Sequence, residues 1–206
     1  MHQTRQEAST RLPIERKGTK YIATASSDLE NSVPVVIAIR DILNLAKTKK
    51  EVKKMITQKI LKINGREVID YRESVHLFYI FQAGKDYVLK LSPTRKFFLE
   101  ETKDGKERLC KVIGKRLVAD NKVQINLHDG TNVIGDSKIK VGDSVYLDFS
   151  SKIKRHVSPE KGKEVFITGG RYEGQSGKIV DIKDKKLSIK FKEGSAVLDL
   201  EKLFVL

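Results

Sequence analysis

The stretch Lys59-Ile60-Leu61-Lys62-Ile63-Asn64-Gly65-Arg66-Glu67-Val68-Ile69 decides how the chain is read. Asn-Gly stands between two β-prone runs, and a type I′ turn needs positive φ at both of its central positions, which these two residues tolerate best. A hairpin is therefore expected, with Gly65 as a structural glycine. Upstream of it the pattern changes to helical spacing. Pro34 suits a first helical turn, where its missing N–H would find no intrahelical partner. Val35, Val36, Ile39, Ile42, Leu43 and Ala46 then form an apolar stripe, with Arg40, Asp41, Asn44 and Lys47 on the other side. Thr48 with Glu51 three residues later is a capping-box pattern that opens a second helix. Val52, Met55 and Ile56 supply its core side, opposite Lys49, Lys50, Lys53 and Lys54.

Downstream, β-like runs at residues 75–81 and 87–91 complete a unit of two helices, hairpin and strands. From Phe97 the helical period disappears. Short runs at 109–113, 122–127 and 145–149 are divided by Asp104-Gly105, Asp129-Gly130 and Gly142-Asp143, which suggests a small barrel. Residues 152–163 read as a basic linker containing Pro159. A last β unit follows, with strands near 165–168, 178–182, 187–191 and 196–200. At the other end, residues 1–32 are polar and mixed in charge, and an extended arm that orders poorly without a partner is expected there.

Composition narrows the function. Lys and Arg number 41 against 27 Asp and Glu, a formal net charge of +14. Such a field attracts phosphate polyanions or anionic membrane surfaces. The excess sits mainly in residues 31–91 (12 basic, 6 acidic) and 92–157 (14 and 9), so it belongs to folded regions and not to a tail. No apolar run approaches the ~20 residues that span a bilayer, and the N-terminus has no apolar signal-peptide core. A lone cysteine, Cys110, fits a reducing cytosol. A cytoplasmic protein with no membrane partner is expected.

Catalytic constellations are not evident. His2, His76, His128 and His156 are scattered, none at metal-ligand spacing from another His or Cys. Asp129 beside Gly130 is better explained as a hairpin residue than as a general base. The stretch Gly169-Gly170-Arg171-Tyr172-Glu173-Gly174-Gln175-Ser176-Gly177-Lys178 has the outline of a phosphate loop. Gln175, however, stands where a P-loop requires Lys, and Gly177-Lys178 is followed by Ile179 with no Mg²⁺-binding hydroxyl. No catalytic residue, metal, cofactor or small-molecule substrate is expected.

Val165, Ile167, Gly170, the basic-aromatic pair, Gly174, Gly177 and the strand from Ile179 resemble the KOW motif of ribosomal proteins and transcription elongation factors. That likeness implies an SH3-like barrel whose loop touches RNA or a protein. Gly174 and Gly177 would be structural, while Arg171 and Tyr172 would offer charge and a stacking face. Residues 33–91 resemble the S-four RNA-binding domain, whose I-x-x-G-x-V-x-V-N-G pattern here reads Ile56-Thr57-Gln58-Lys59-Ile60-Leu61-Lys62-Ile63-Asn64-Gly65. Lys59 replaces the usual first glycine. The likeness implies that the helical face and following turn sit on structured RNA through Arg40, Lys47, Lys49, Lys50, Lys53, Lys54 and Lys59.

The order of these modules is similar to the archaeal/eukaryotic-type small-subunit ribosomal protein four-e family, over nearly the whole chain. The 35–43, 123–130 and 140–144 stretches are alike, as is the arm, with His2 and Arg5 ahead of Pro13-Ile14-Glu15-Arg16-Lys17. Leu12 departs from the family's Trp, and the extra basic residues that usually precede His2 are missing. The reading is an α+β multi-domain protein: arm 1–32, small α/β S-four-like module 33–91, central β domain 92–157 and KOW SH3-like barrel 158–206. It implies a structural, non-enzymatic constituent of the small ribosomal subunit, whose partners are small-subunit rRNA and neighbouring subunit proteins. RNA contacts are expected from the residues above together with Arg11, Arg16, Lys17, Arg66 and Lys178. The alternatives are an RNA-modifying enzyme, which would need a catalytic domain, or an RNA-regulatory protein, which would lack the N-terminal module.

Overall fold

The computed structural model describes residues 3–102, 105–118, 122–183, 186–191 and 194–206. His2 lies outside them. The chain is α+β, mostly strand, and divides into two units, Met1–Lys106 and Glu107–Leu206.

The first unit runs β1 (Gln3–Thr4), β2 (Tyr21–Ile22), β3 (Ser32–Pro34), α1 (Val35–Ile37), a π-helical segment at Ala38–Ile42, and α2 (Lys49–Thr57). Then follow β4 (Leu61–Ile63), β5 (Arg66–Glu67), β6 (Ser74–His76), β7 (Ile80–Ala83), β8 (Asp86–Leu91) and β9 (Phe97–Glu101). Strands β5-β4-β7-β8-β9 form an antiparallel sheet, and β3 pairs with β6. The Asn-Gly hairpin forms as expected, with φ of +49° at Asn64 and +79° at Gly65, and Ile63 paired to Arg66. Asn64 Oδ1 also accepts the Ile80 N–H at 3.0 Å, which ties the hairpin tip to β7.

The long first helix expected from Pro34 is not regular. One α-helical turn gives way to the π-helical segment, and the chain turns off at Asn44 with φ +54°. Val33 to Ile39 are all buried. A segment enclosed on every side has no solvent face to select the 3.6-residue period, and the stripe's later members, Ile42 and Leu43, are only half-buried. The second helix matches its signals. Thr48 Oγ1 accepts the Glu51 N–H at 3.3 Å, and the Glu51 carboxylate reaches back to the Lys47 N–H at 2.8 Å.

Residues 3–30 do not stand off as a separate arm. β1 pairs with β2, Leu12 is buried, and the Arg11 carbonyl accepts the Phe97 N–H at 2.9 Å. Polar composition suggests an extended tail, but buried Leu12, one backbone bond to β9 and Lys96 Nζ bonds to the Thr10 and Leu12 carbonyls hold the segment in place. The boundary expected at Leu91 also moves. Ser92-Pro93-Thr94-Arg95-Lys96 is a hairpin loop, and β9 pairs along β8 from Leu91↔Phe97 to Tyr87↔Glu101.

The second unit holds β10 (Glu107–Leu117), β11 (Val123–Leu127), β12 (Asn132–Gly135), β13 (Ser144–Asp148) and β14 (Ile153–Val157). It continues with β15 (Glu164–Ile167), β16 (Ser176–Lys183), β17 (Lys186–Phe191), β18 (Gly194–Asp199), a 3₁₀ turn at Leu200–Lys202, and β19 (Leu203–Val205). Two five-stranded antiparallel sheets result, ordered β12-β11-β10-β13-β14 and β18-β17-β16-β15-β19. Each has its own core, around Val112, Ile125 and Leu147 in one and around Ile167, Leu187 and Ile189 in the other. They are nevertheless joined. Val205 N–H donates to Ser144 Oγ at 2.9 Å, and Lys111 Nζ donates to the Leu200 and Glu201 carbonyls at 2.7 Å each. The linker expected at 152–163 contains β14, an edge strand. Its Lys154 and Arg155 lie outward, as edge strands commonly carry charge, and that charge obscured the strand in the sequence.

Candidate nucleic-acid interface

Helix α2 concentrates the cations. Its core side packs through buried Val52, leaving Lys49, Lys50, Lys53 and Lys54 exposed, with Lys47 exposed just before the cap. Lys50, Lys53 and Lys54 stand at i, i+3 and i+4 and therefore share a face. The helix ends in a Schellman arrangement. Lys59 N–H reaches the Ile56 carbonyl at 2.9 Å, Ile60 N–H reaches the Met55 carbonyl at 3.2 Å, and Lys59 adopts φ +57°. This left-handed conformation is what a glycine would take without strain. Lys59 is also paired, 3.0 Å from Glu67.

Other expected contact residues are engaged within the fold. Arg40 makes a bidentate pair with Asp41, at 2.9 and 2.8 Å. Arg66 lies 2.6 Å from Glu73. Arg5 clasps the N-terminal segment, its Nε donating to the Thr19 carbonyl at 2.9 Å and its Nη1 to the Glu15 carbonyl. Arg11 donates to Asn31 Oδ1. Arg16 and Lys17 are exposed, as are Arg171 and Lys178.

Tyr172 departs from its expected outward placement. It stacks on Phe191, centroids 4.8 Å apart and planes 13° from parallel, and packs against the second core of its unit. An aromatic ring gains more by covering apolar surface than by facing water. Gly174 has φ +80°. Gly177 serves a different need, because a Cβ there would lie 2.5 Å from Ile189 Cγ2 and 2.9 Å from the Lys190 carbonyl oxygen.

One residue of the basic face escaped the sequence reading. Tyr71 lies beneath it, with Lys49 Nζ 4.0 Å, Lys53 Nζ 5.3 Å and Arg72 Cζ 5.6 Å from its ring centroid. A hydrogen bond from Lys49 holds its phenol below the usual tyrosine range. The signal was present: Tyr71-Arg72 is an aromatic-basic pair beside a turn, the same feature noted at Arg171-Tyr172.

Among the described residues, Cys110, His128 and Asp129 bring possible ligand atoms within 4.8 Å of one another. Their chemistry is already committed. Asp129 accepts from Arg108 at 2.7 Å and from Thr131 Oγ1 at 2.6 Å. Burial alone would raise its carboxyl, but the Thr131 hydrogen bonds and the Arg108 charge hold it below the usual range. His128 Nδ1 accepts the Lys111 N–H at 3.2 Å. Burial, then the neighbouring Asp129 charge, pushes the Cys110 thiol well above its ordinary range. The group is a hairpin turn tied to a core.

Residues 83–153 match the model described as ribosomal family S4e, and residues 161–192 match the KOW motif. The basic, two-unit fold is thus that of a ribosomal protein. Small ribosomal subunit protein eS4 of Methanocella arvoryzae is 32% identical over 189 residues, covering 88% of this chain and 81% of that one. The Archaeoglobus fulgidus eS4 is also 32% identical over 189 residues, covering 89% and 80%. The crystal structure of the 30S ribosomal protein S4e from Thermoplasma acidophilum superposes with a TM-score of 0.73 at 25% identity, over 86% of this chain and 95% of that one. The chain belongs to the eS4 family of small ribosomal subunit proteins, structural constituents and not enzymes. The RNA-modifying alternative finds no support in these likenesses.

Proposed function

We propose that this protein binds small-subunit rRNA in the cytoplasmic ribosome chiefly through the α2 face, and that neighbouring small-subunit proteins complete its surroundings. The observation that carries this is the set of exposed lysines, Lys47, Lys49, Lys50, Lys53 and Lys54, on and beside one nine-residue helix. Each phosphate neutralised releases counterions, so such a face holds RNA by shape and charge without reading sequence. Arg16 and Lys17 in the N-terminal segment, Arg171 in the KOW loop and Lys178 on β16 provide secondary phosphate contacts. Arg40, Lys59 and Arg66 are held by Asp41, Glu67 and Glu73 and contribute less. His2, Arg5 and Arg11 belong to the N-terminal contact. The sheet β18-β17-β16-β15-β19 is read as an SH3-like barrel, with order and glycine geometry in its favour.

The test is a salt titration of binding to small-subunit rRNA. Lys50→Gln with Lys54→Gln should lower the slope of log K against log salt by roughly 1.4–1.8, the value for two lost phosphate contacts. Circular dichroism should be unchanged, since both side chains are exposed. A slope equal to that of the wild type would place RNA elsewhere.

A further inference from the structure

The α2 face has a feature that phosphate binding does not use. Between the end of α2 and the loop before β6 lies a recess of about 270 Å³, lined by Lys53, Ile56, Thr57, Ile69, Asp70 and Tyr71. Ile69 is 78% exposed, in the midst of a charged surface. Its backbone is fixed, because the Ile69 and Asp70 N–H groups both donate to Glu73 Oε1, at 2.6 and 3.0 Å. The side chain is therefore presented at a set place and is not a frayed loop. Half-buried Ile56 and the Tyr71 ring continue the apolar floor. Lys49, Lys53 and Arg72 stand around the ring, Arg72 also holding Asp70 at 3.1 Å.

A recess that sets Ile56, Ile69 and the Tyr71 ring among polar neighbours, beside the exposed ammonium groups of Lys49 and Lys53, is complementary to one nucleotide: base on the apolar side chains, phosphate on the lysines. A purely phosphate-binding face gains nothing from an exposed isoleucine and a tyrosine, whereas single-stranded and bulged nucleotides are held by stacking on aromatic side chains. Lys49 now covers the ring. An entering base would displace its ammonium toward the incoming phosphate, exchanging a cation–π contact for an ion pair and a larger stacked area. We propose that Ile56, Ile69 and Tyr71 form a site for a single unpaired RNA nucleotide, whose phosphate is taken by Lys49 and Lys53. This rests on the reading of α2 as the RNA face.

The test uses the full chain and two labelled RNA hairpins, identical except that one carries a single bulged nucleotide, prepared with each of the four bases. The wild type is expected to prefer the bulged hairpin by about tenfold, the scale of one stacked base. Ile69→Ser, an exposed change, and Tyr71→Ala should each bring the ratio near one, while Tyr71→Phe keeps it. Lys50→Gln with Lys54→Gln should weaken both hairpins equally and leave the ratio intact. Equal wild-type affinity for the two hairpins, or a ratio that survives both Ile69→Ser and Tyr71→Ala, would overturn the nucleotide site while leaving the RNA face standing. Failure to bind either hairpin would remove both.

Discussion

Lys111 is the side chain whose chemistry says most about its unit. It is buried, its Nζ lies 5.8 Å from the Phe204 centroid, and its two hydrogen bonds go to consecutive backbone carbonyls at Leu200 and Glu201. Burial pushes its ammonium down from 10.5 to about 8, against a smaller raising effect of Glu201. A neutral amine has two N–H donors, which match the two carbonyls. The folded value lies below the unfolded one, so between pH 8 and 10.5 the unfolded state binds more protons, and unfolding becomes harder as pH rises. The stability of the wild type relative to Lys111→Met should therefore increase from pH 8 toward pH 10 and be constant below about pH 7. The full span is on the order of 3 kcal/mol. Denaturant melts across that range would check it, and a difference that stays flat through pH 10 would show that Lys111 titrates normally. Lys59 offers a second residue-scale lesson. Its left-handed backbone costs an L-residue about 1–2 kcal/mol, yet the Schellman bonds still form, so the helix–strand turn survives without glycine.

The KOW hairpin separates three roles within one element. Gly177, between β15 and β17, has no room for a methyl group, and the obstacle includes the Lys190 backbone carbonyl, which cannot swing away. Gly177→Ala should cost about 1–3 kcal/mol through overpacking. Tyr172→Ala should cost about 2 kcal/mol by removing the half-buried ring stacked on Phe191, whereas Arg171→Ala should stay within about 0.5 kcal/mol. Thermal melts of the three variants give the ranking, and an early-melting Arg171→Ala with an unaffected Tyr172→Ala would reverse the assignment. What could be read in advance follows from how local each cause is. The Asn64-Gly65 turn and the Thr48 cap are decided within four residues and were legible. The first helix is shorter than its apolar stripe implies because residues 33–39 are enclosed on every side, β14 is hidden by its outward charges, and β9 lies beyond a Pro93-containing loop that looks like the end of the module at Leu91. Tyr71-Arg72 is legible as an aromatic-basic pair, but its place under α2 is set only by the fold.

At the scale of the whole molecule, charge sets two opposite responses to salt. A chain of formal charge +14 repels itself when compact, and its exposed ion pairs, such as Lys85–Glu101 and Lys161–Asp181, return little. Screening should relieve repulsion more than it weakens those pairs, because 41 basic side chains stand against 27 acidic ones. The free protein is therefore expected to melt at a higher temperature in 200 mM than in 50 mM NaCl. RNA binding should respond in the other direction, since every phosphate contact depends on counterion release. If the five lysines on and beside α2 all touch phosphate, affinity should fall roughly 10²- to 10³-fold over the same interval. Measuring Tm and RNA affinity side by side in the two buffers tests the balance. A Tm that falls with salt would mean that the surface ion pairs outweigh the net charge. An affinity that hardly changes would mean that RNA is held by something other than the basic face.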